Sequence, residues 1–441
     1  MKILLIFPPF SVPTVMPYSI TRMQASLSSQ FDENISVLDL NALFHKEEFH
    51  DYYKRKESGE EYFGLLKEFI NEARHRYSKI SKGSVLGKLP DFHNRLMQEI
   101  YKNKPDIAAL SLVYNSQVFF TKWITDALIK KGIDVVIGGP ADTSKIRSGA
   151  EYLADYNSLS RYLAGKGAHK TKRADVIDFS SYDPPAYFTK EIIYPLKTAD
   201  SCPYKRCAFC THHGNKKYTP FDLNSVKSAV ISNKMKKIYF IDDDFPLKRL
   251  ERLSGIMSAL NVEWSCQLRP VKEIIPLLAK LSDSGLRAVS WGVESGSQRI
   301  LDLMEKGTDP ADISKVLKAS RKNRIRNIVH IMFGFPSETE QEFMATIKFL
   351  EENSGSVDLI SPSIFGLQRS SRIFQNPSCY SIDKIWSSPR TLLGDTINYK
   401  TIRGMGREKV RQMKAEYLPL MNMINKVPRI INACKEQILN Y

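Results

Sequence analysis

Cysteine is scarce in this chain of 441 residues: there are six, three of them crowded between Cys202 and Cys210. A secreted disulfide framework would spread paired cysteines along a short chain, so that class is excluded. Glycine and proline, 22 of each, are too few for a fibrous protein or a long linker. No run of about 18 uncharged apolar residues occurs, so no membrane span is expected. The opening MKILLIFPPF lacks the longer apolar stretch and small-residue cleavage site of a signal peptide. A cytoplasmic location with reduced thiols is the expectation. Acidic residues are the minority charge: 64 Lys+Arg against 48 Asp+Glu leave +16. That excess suits nucleic acid, an acidic peptide, a membrane surface or an anionic cofactor, and by itself names none of them. A hydrophobic content of 42% with 10% aromatics supplies a sizeable core and rules out a disordered chain. The length predicts roughly two to three domains.

Three zones can be separated. In residues 1–175, KILLIF (2–7), ISVLDL (35–40), DIAALSLV (106–113) and DVVIGG (134–139) read as buried parallel strands, the first stopped by Pro8-Pro9. The charged, aromatic stretch 44–100 reads as a helical insertion. Alternating strands and helices imply a doubly wound parallel sheet of the α/β class, with a ligand crevice beyond the strand C-termini. Asp39, Ser111 to Asn115 and Gly138-Gly139-Pro140 belong there, although the glycines also suit a simple tight turn. In residues 176–385 the rhythm repeats, with strands expected at 237–244, 262–268, 287–294 and 327–334. Repeated units without GxGxxG suggest a full or partial parallel barrel with its chemistry at the strand C-termini. Residues 386–441 form a basic tail expected to be helical. Its stretch 400–441 sets nine Lys/Arg against three Glu.

The cysteines Cys202, Cys207 and Cys210 are spaced C-x4-C-x2-C and followed by Thr211-His212-His213-Gly214. Structural zinc wants four ligands, and His212 or His213 is the available fourth. Three thiolates in a short loop equally suit a four-iron cluster that leaves one iron without a protein ligand, free to bind a small molecule. Cys266, Cys379 and Cys434 are too scattered for a second cluster, which takes about four cysteines. Cys266 falls on an expected strand, as a core residue or a thiol facing the barrel interior.

The cysteine segment resembles the radical SAM (S-adenosylmethionine) superfamily, whose loop is usually C-x3-C-x2-C with an aromatic residue before the last cysteine. Phe209 fills that place. The longer first spacing resembles the variant in radical SAM enzymes that carry an N-terminal cobalamin-binding domain. The resemblance continues through Asp242-Asp243-Asp244, implied to receive the SAM amino group, and Arg269, implied near its carboxylate. In Trp291-Gly292-Val293-Glu294-Ser295-Gly296, Glu294 and Ser295 are implied beside the ribose. In Gly334-Phe335-Pro336-Ser337-Glu338-Thr339, Gly334 and Pro336 are implied near the adenine. Bland readings stand beside these: the aspartates as a capping run before Pro246, Glu294 in a buried salt bridge, and Arg269 paired with a carboxylate. His212, His213 and His330 read as structural or supporting groups.

The similarity to a cobalamin-binding domain rests on Phe7-Pro8-Pro9, Val37 to Leu40, Ser111, Gly138 and Gly139. After Pro140 the pattern departs. The further strand with its Gly-Glu-Gly-Glu-like turn is represented only by Ala164-Gly165-Lys166-Gly167, and Asp-x-His-x-x-Gly is missing. A bound corrinoid and a degenerate domain kept as a substrate platform both stay open. The resemblance implies a [4Fe-4S] cluster, S-adenosylmethionine, an electron donor such as flavodoxin or ferredoxin, and a 5′-deoxyadenosyl radical acting on an unactivated carbon. The implied substrate is a peptide or small natural product. With cobalamin the outcome is C-methylation; without it, epimerisation or cyclisation. An RNA substrate is encouraged by the charge but not by an aromatic-rich sheet.

Overall fold

A computed structural model of the chain describes residues 1–85, 87–143, 149–212, 217–389 and 395–441. Two compact units are present, one built chiefly from Met1–Pro195 with Lys227–Lys234, the other from Leu196–Val226, Met235–Pro389 and Asp395–Tyr441. No helix among the described residues is long and apolar enough to cross a membrane.

In the first unit, β1 (Lys2–Phe7), β2 (Asn34–Asp39), β3 (Ile107–Ser111), β4 (Asp134–Gly138) and β5 (Glu151–Leu153) form a parallel sheet in the order β2-β1-β3-β4-β5. Ile3, Leu4, Leu5 and Ile6 are at most 1% exposed. A central strand covered on both faces has no polar side to show, which is why the segment reads as an unbroken apolar run. The order reverses between β1 and β3, and the ligand crevice of such a sheet lies beyond that switch point. β5 and the helix after it (Tyr156–Gly165) correct the expectation that only Ala164 to Gly167 represents this part. At three residues, none buried, β5 carries no apolar run for a sequence pattern to detect. The insertion is helical, over Leu40–Glu48, His50–Glu57, Tyr62–Val85 and Phe92–Lys102. Its Phe44 and Phe92 pack edge-on to Phe10, with centroids at 4.9 and 6.4 Å.

In the second unit, β6 (Tyr194–Leu196) lies at one edge of a six-stranded sheet, where Leu196 O accepts from Ile241 N at 2.8 Å. A short pair, β7 (Ala199–Asp200) and β8 (Thr219–Pro220), flanks it in sequence. Then follow β9 (Lys237–Phe240), β10 (Glu263–Leu268), β11 (Leu286–Glu294), β12 (Arg326–Phe333) and β13 (Leu359–Ile364), each parallel to the next. The sheet order runs from β13 to β6 without closing, as in a partial barrel. β13 and β6 escape the sequence pattern because both are edge strands that contain proline, Pro362 and Pro195.

Side chains alternate across these strands. Trp264 donates from Nε1 to Ser284 O (3.0 Å) and packs edge-on to Phe240 on the helix-covered face. Cys266, two residues on, shares that face and is 1% exposed, a core position. The opposite face carries Tyr239, Gln267 and the paired Gly292 and His330. The tail differs from the all-helical expectation. It begins with an antiparallel ribbon, β14 (Ile382–Pro389) and β15 (Asp395–Thr401), before helices at Arg407–Glu416 and Leu418–Ile424. Ile385, Ile397 and Tyr399 alternate along the ribbon, and all three pack on the core beneath it.

Candidate active site

The three cysteines lie on a loop that the rest of the second unit pins at many points. Ser201 and Lys205 take left-handed backbone angles (φ 65° and 56°), which curl the chain around Cys202. Its sulfur accepts the backbone N–H groups of Tyr204 and Lys205. Ala208 N donates to Met304 O (2.9 Å), Cys210 N to Cys207 O (3.2 Å), and Arg372 donates to Arg206 O. Tyr204 Oη donates to Glu305 O (2.9 Å). The aromatic Phe209 packs against a buried cluster that includes Ala208, Ile300, Met304 and Phe335. All three thiols are part-buried and free of disulfides. Burial raises the Cys202 thiol and pushes Cys207 up to about 11. An iron that displaces these protons turns that penalty into a binding contribution. Among the described residues no three His, Cys, Asp or Glu are grouped to hold a single ion. Part-buried thiols with N–H groups folded onto sulfur fit a multi-iron cluster, whose thiolates spread over several metals. His213 and Gly214 lie outside the described residues.

The three aspartates do different things. Asp242 is 4% exposed and accepts from Thr198 N, Thr198 Oγ1 and Ala199 N at 2.9–3.0 Å. Burial outweighs those bonds and raises its carboxyl to about 6. Asp244 accepts from Arg269 Nε at 3.0 Å and Arg269 N at 3.2 Å. The Arg269 guanidinium lies 3.4 Å from the centre of the Tyr204 ring and donates to Lys306 O. Asp243, a quarter exposed, faces His212 Nδ1 at 3.0 Å, and this contact raises the imidazole pKa. None of the three caps the next helix, whose N-cap is Pro246. A cleft of about 320 Å³ opens beside Tyr204, Asp244, Phe245 and Arg269.

At the end of β11, Glu294 takes φ 68°, a left-handed angle that turns the chain away from the sheet. Its Oε1 accepts from Lys306 Nζ at 2.9 Å, with the two side chains 11% and 7% exposed. Ser295 is fully buried. Its hydroxyl bonds Thr346 Oγ1 and accepts from Ser297 N, which fixes the turn into the helix Gln298–Leu303. After β12, Gly334 (φ 73°) donates its N–H to Glu338 Oε2, and Pro336 is buried. Glu338 is buried with Oε1 unpartnered, and desolvation raises its carboxyl to about 8. Thr339 caps the next helix in a reciprocal box with Glu342. Much of this motif is thus local architecture at the strand end.

Residues without an assigned role in the sequence reading also meet here. Thr198 holds Asp242, and Tyr204 stacks under Arg269. Lys306 lies 5.8 Å from the Phe209 ring centre. Lys306 follows the Trp291–Gly296 motif in the chain, but a lone lysine carries no local mark of burial. His330, held near pKa 3 by burial, accepts from Lys435 Nζ at 3.1 Å.

In the first unit, Asp39 caps the helix Leu40–Glu48 and accepts from Tyr187 Oη (2.8 Å), and burial raises its carboxyl to about 6. Ser111 donates to Ser19 Oγ (3.0 Å). A Cβ on Gly139 would sit 2.1 Å from Leu112 O, so only glycine allows these two strand-end loops to approach. The rim is consequently bare of side chains at Gly138 and Gly139. Residues 144–148 beyond it lie outside the described residues.

Residues 196–350 match the family model of the radical SAM superfamily. The chain carries a radical SAM domain. Its match begins at Leu196 and takes in the cysteine loop, the three aspartates, Glu294 and Gly334. Across 168 residues the chain is 28% identical to an uncharacterised methyltransferase of Pyrococcus horikoshii, covering 36% of this chain and 36% of that protein. The chain spans 36–56% of the length of the first curated relatives it matches. The fold resembles TsrM from Kitasatospora setae, a radical S-adenosylmethionine methyltransferase solved with cobalamin and a [4Fe-4S] cluster. There the TM-score is 0.57 at 13% identity, over 88% of this chain and 77% of that one. It also resembles the cobalamin-dependent radical enzyme OxsB, with a TM-score of 0.61 at 12% identity over 96% and 67%. Both likenesses extend beyond the radical SAM domain into the N-terminal sheet.

Proposed function

We propose that the protein is a radical SAM enzyme that modifies an unactivated carbon of a peptide or small natural product, with C-methylation as the favoured outcome. The observation that carries this reading is one loop holding Cys202, Cys207 and Cys210 inside a domain that matches the radical SAM family. These thiolates would hold a [4Fe-4S] cluster with one open iron, which supplies the electron that cleaves the sulfonium C–S bond of bound S-adenosylmethionine. Asp243, whose carboxylate is a quarter exposed beside His212, would receive the methionine ammonium. Asp242 and Asp244 are occupied in holding the Thr198 turn and Arg269. Glu294 at the end of β11 would face the ribose, while Ser295, Gly334 and Pro336 shape the backbone around the nucleoside. A cobalamin, seated over the Gly138–Gly139 rim near Ser111, would supply a methyl carrier.

Support for the methylation branch comes from the likeness to the methyltransferase TsrM, and support for a cobalamin from TsrM and the cobalamin-dependent OxsB, both likenesses taking in the N-terminal sheet and the radical SAM domain. The test is anaerobic reconstitution with iron and sulfide, then S-adenosylmethionine and dithionite. The reading expects a brown chromophore and release of 5′-deoxyadenosine or methionine. Replacing Cys202, Cys207 and Cys210 with Ala should abolish both, and a chain that cleaves no S-adenosylmethionine would sink the proposal. Production with hydroxocobalamin separates the branches: a retained corrinoid absorbance supports methylation, and its absence supports epimerisation or cyclisation.

A further inference from the structure

Lys306 is an unusual resident of the site. Its side chain is 7% exposed, yet it ends in a charge, and the lysine reaches its position because a glycine makes room. A Cβ on Gly292 would meet Lys306 Nζ at 2.6 Å and Glu294 Oε1 at 2.9 Å. A Cβ on the next residue, Gly307 (φ 66°), would meet Tyr204 Oη at 2.3 Å, so the cysteine loop closes directly over the lysine backbone. Arg269 donates to Lys306 O at 3.0 Å and Tyr204 Oη to Glu305 O at 2.9 Å, clamping this backbone from the loop side. The ammonium lies 2.9 Å from Glu294 Oε1 and 5.8 Å from the Phe209 ring centre, two residues along the chain from Cys207. A buried ion pair is weak evidence for stability, because desolvation offsets much of its attraction. Its placement against the cysteine loop calls for another reason.

We propose that Lys306 is a positioning residue that holds a fixed positive charge against the cysteine loop and so sets how readily the cluster there accepts an electron. This rests on the cluster reading of Cys202, Cys207 and Cys210. One electron enters from a low-potential donor of the flavodoxin or ferredoxin class and adds one negative charge at the thiolate-held site. No bond is made or broken in this step. A nearby cation in a low-dielectric interior stabilises the added charge, and the Glu294 carboxylate opposes it.

The experiment is a dye-mediated redox titration of the reconstituted full chain. The reduced fraction is read by electron paramagnetic resonance, and cluster occupancy by iron, sulfide and absorbance. Lys306→Met should keep its cluster but become harder to reduce. At the potential where the unsubstituted protein is half reduced, the ratio of reduced to oxidised cluster should fall about tenfold. Glu294→Gln should move the ratio the other way, the double variant should return near the starting value, and Lys306→Arg should change it little. A structural brace alone would weaken S-adenosylmethionine binding in both single variants without moving either titration. Fully occupied Lys306→Met that titrates like the parent overturns the proposal. If Lys306→Met assembles no cluster, Glu294→Gln decides: easier reduction supports the proposal and an unmoved curve overturns it. A parent chain that takes up no iron and sulfide sinks the cluster reading and the proposal with it.

Discussion

Asp242 and Thr198 are joined by both the backbone N–H and the hydroxyl of the threonine, at 2.9 Å to the carboxylate. The pair ties the end of β9 to the segment that leads into the cysteine loop. An aspartate consumed in this way acts on the site through the backbone it holds. Asp242→Ala should therefore leave Thr198 N and Ala199 N without acceptors, at a cost of about 1–3 kcal/mol for each buried donor. The expected result is lower cluster occupancy per chain, measured by iron content, together with a lower midpoint of thermal unfolding. Unchanged iron content would show that the Thr198 turn does not need this carboxylate.

Gly307 offers a second, steric test. Alanine there meets the Tyr204 hydroxyl at 2.3 Å and must also hold φ 66°, which by itself costs about 1–2 kcal/mol. Gly307→Ala should loosen Tyr204 from Arg269 and reduce iron uptake. Adding Tyr204→Phe removes the clashing oxygen and should recover part of the uptake, though not the backbone cost. Equal loss in the single and double variants would contradict the clash.

Glu338 predicts a pH dependence. Its carboxyl is raised to about 8 in the folded chain, above the usual carboxylate value that it has when unfolded. A group raised in this way contributes stability that is fully present below the unfolded pKa and is lost as pH rises through the folded one. Thermal stability should thus decline between about pH 5 and pH 8. Glu338→Gln should flatten that decline while keeping an acceptor for Gly334 N. A slope identical in the two proteins would remove Glu338 from the account.

Lys435 reaches His330 from the C-terminal turn Lys435–Asn440 and donates toward the ring at 3.1 Å, which requires a neutral imidazole acceptor. Burial is the larger reason that His330 sits near pKa 3, with the Lys435 charge next. Lys435→Met should raise the His330 pKa part of the way toward its ordinary value, leaving the burial contribution in place. A histidine-resolved NMR titration checks this, and an unmoved resonance would exclude the contact.

The strands were legible where the chain is apolar on both faces, as at Ile3 to Ile6, and where alternation is strong, as from Trp264 to Leu268. Other elements stayed hidden, the β14–β15 ribbon of the tail and three short or edge strands among them. β5 is three residues long with none buried, and β6 and β13 carry prolines that only an edge position tolerates. The cysteine spacing, the order of the motifs and the cluster they imply are properties of the sequence alone, because thiolate spacing within one loop is a local matter. What each carboxylate near that loop does was decided by the tertiary structure. Asp242 turns back to Thr198, Asp244 takes Arg269, and Glu294 takes Lys306, across separations of 44, 25 and 12 residues. Fold-level proximity also sets the C-terminal tail against the Gly334 loop, where Met405 N donates to Glu338 O. Periodicity records which face of an element is buried. Which charges meet once those faces pack depends on long-range geometry, and the pairing of Lys306 with Glu294 beside the cysteines belongs to that second kind of information.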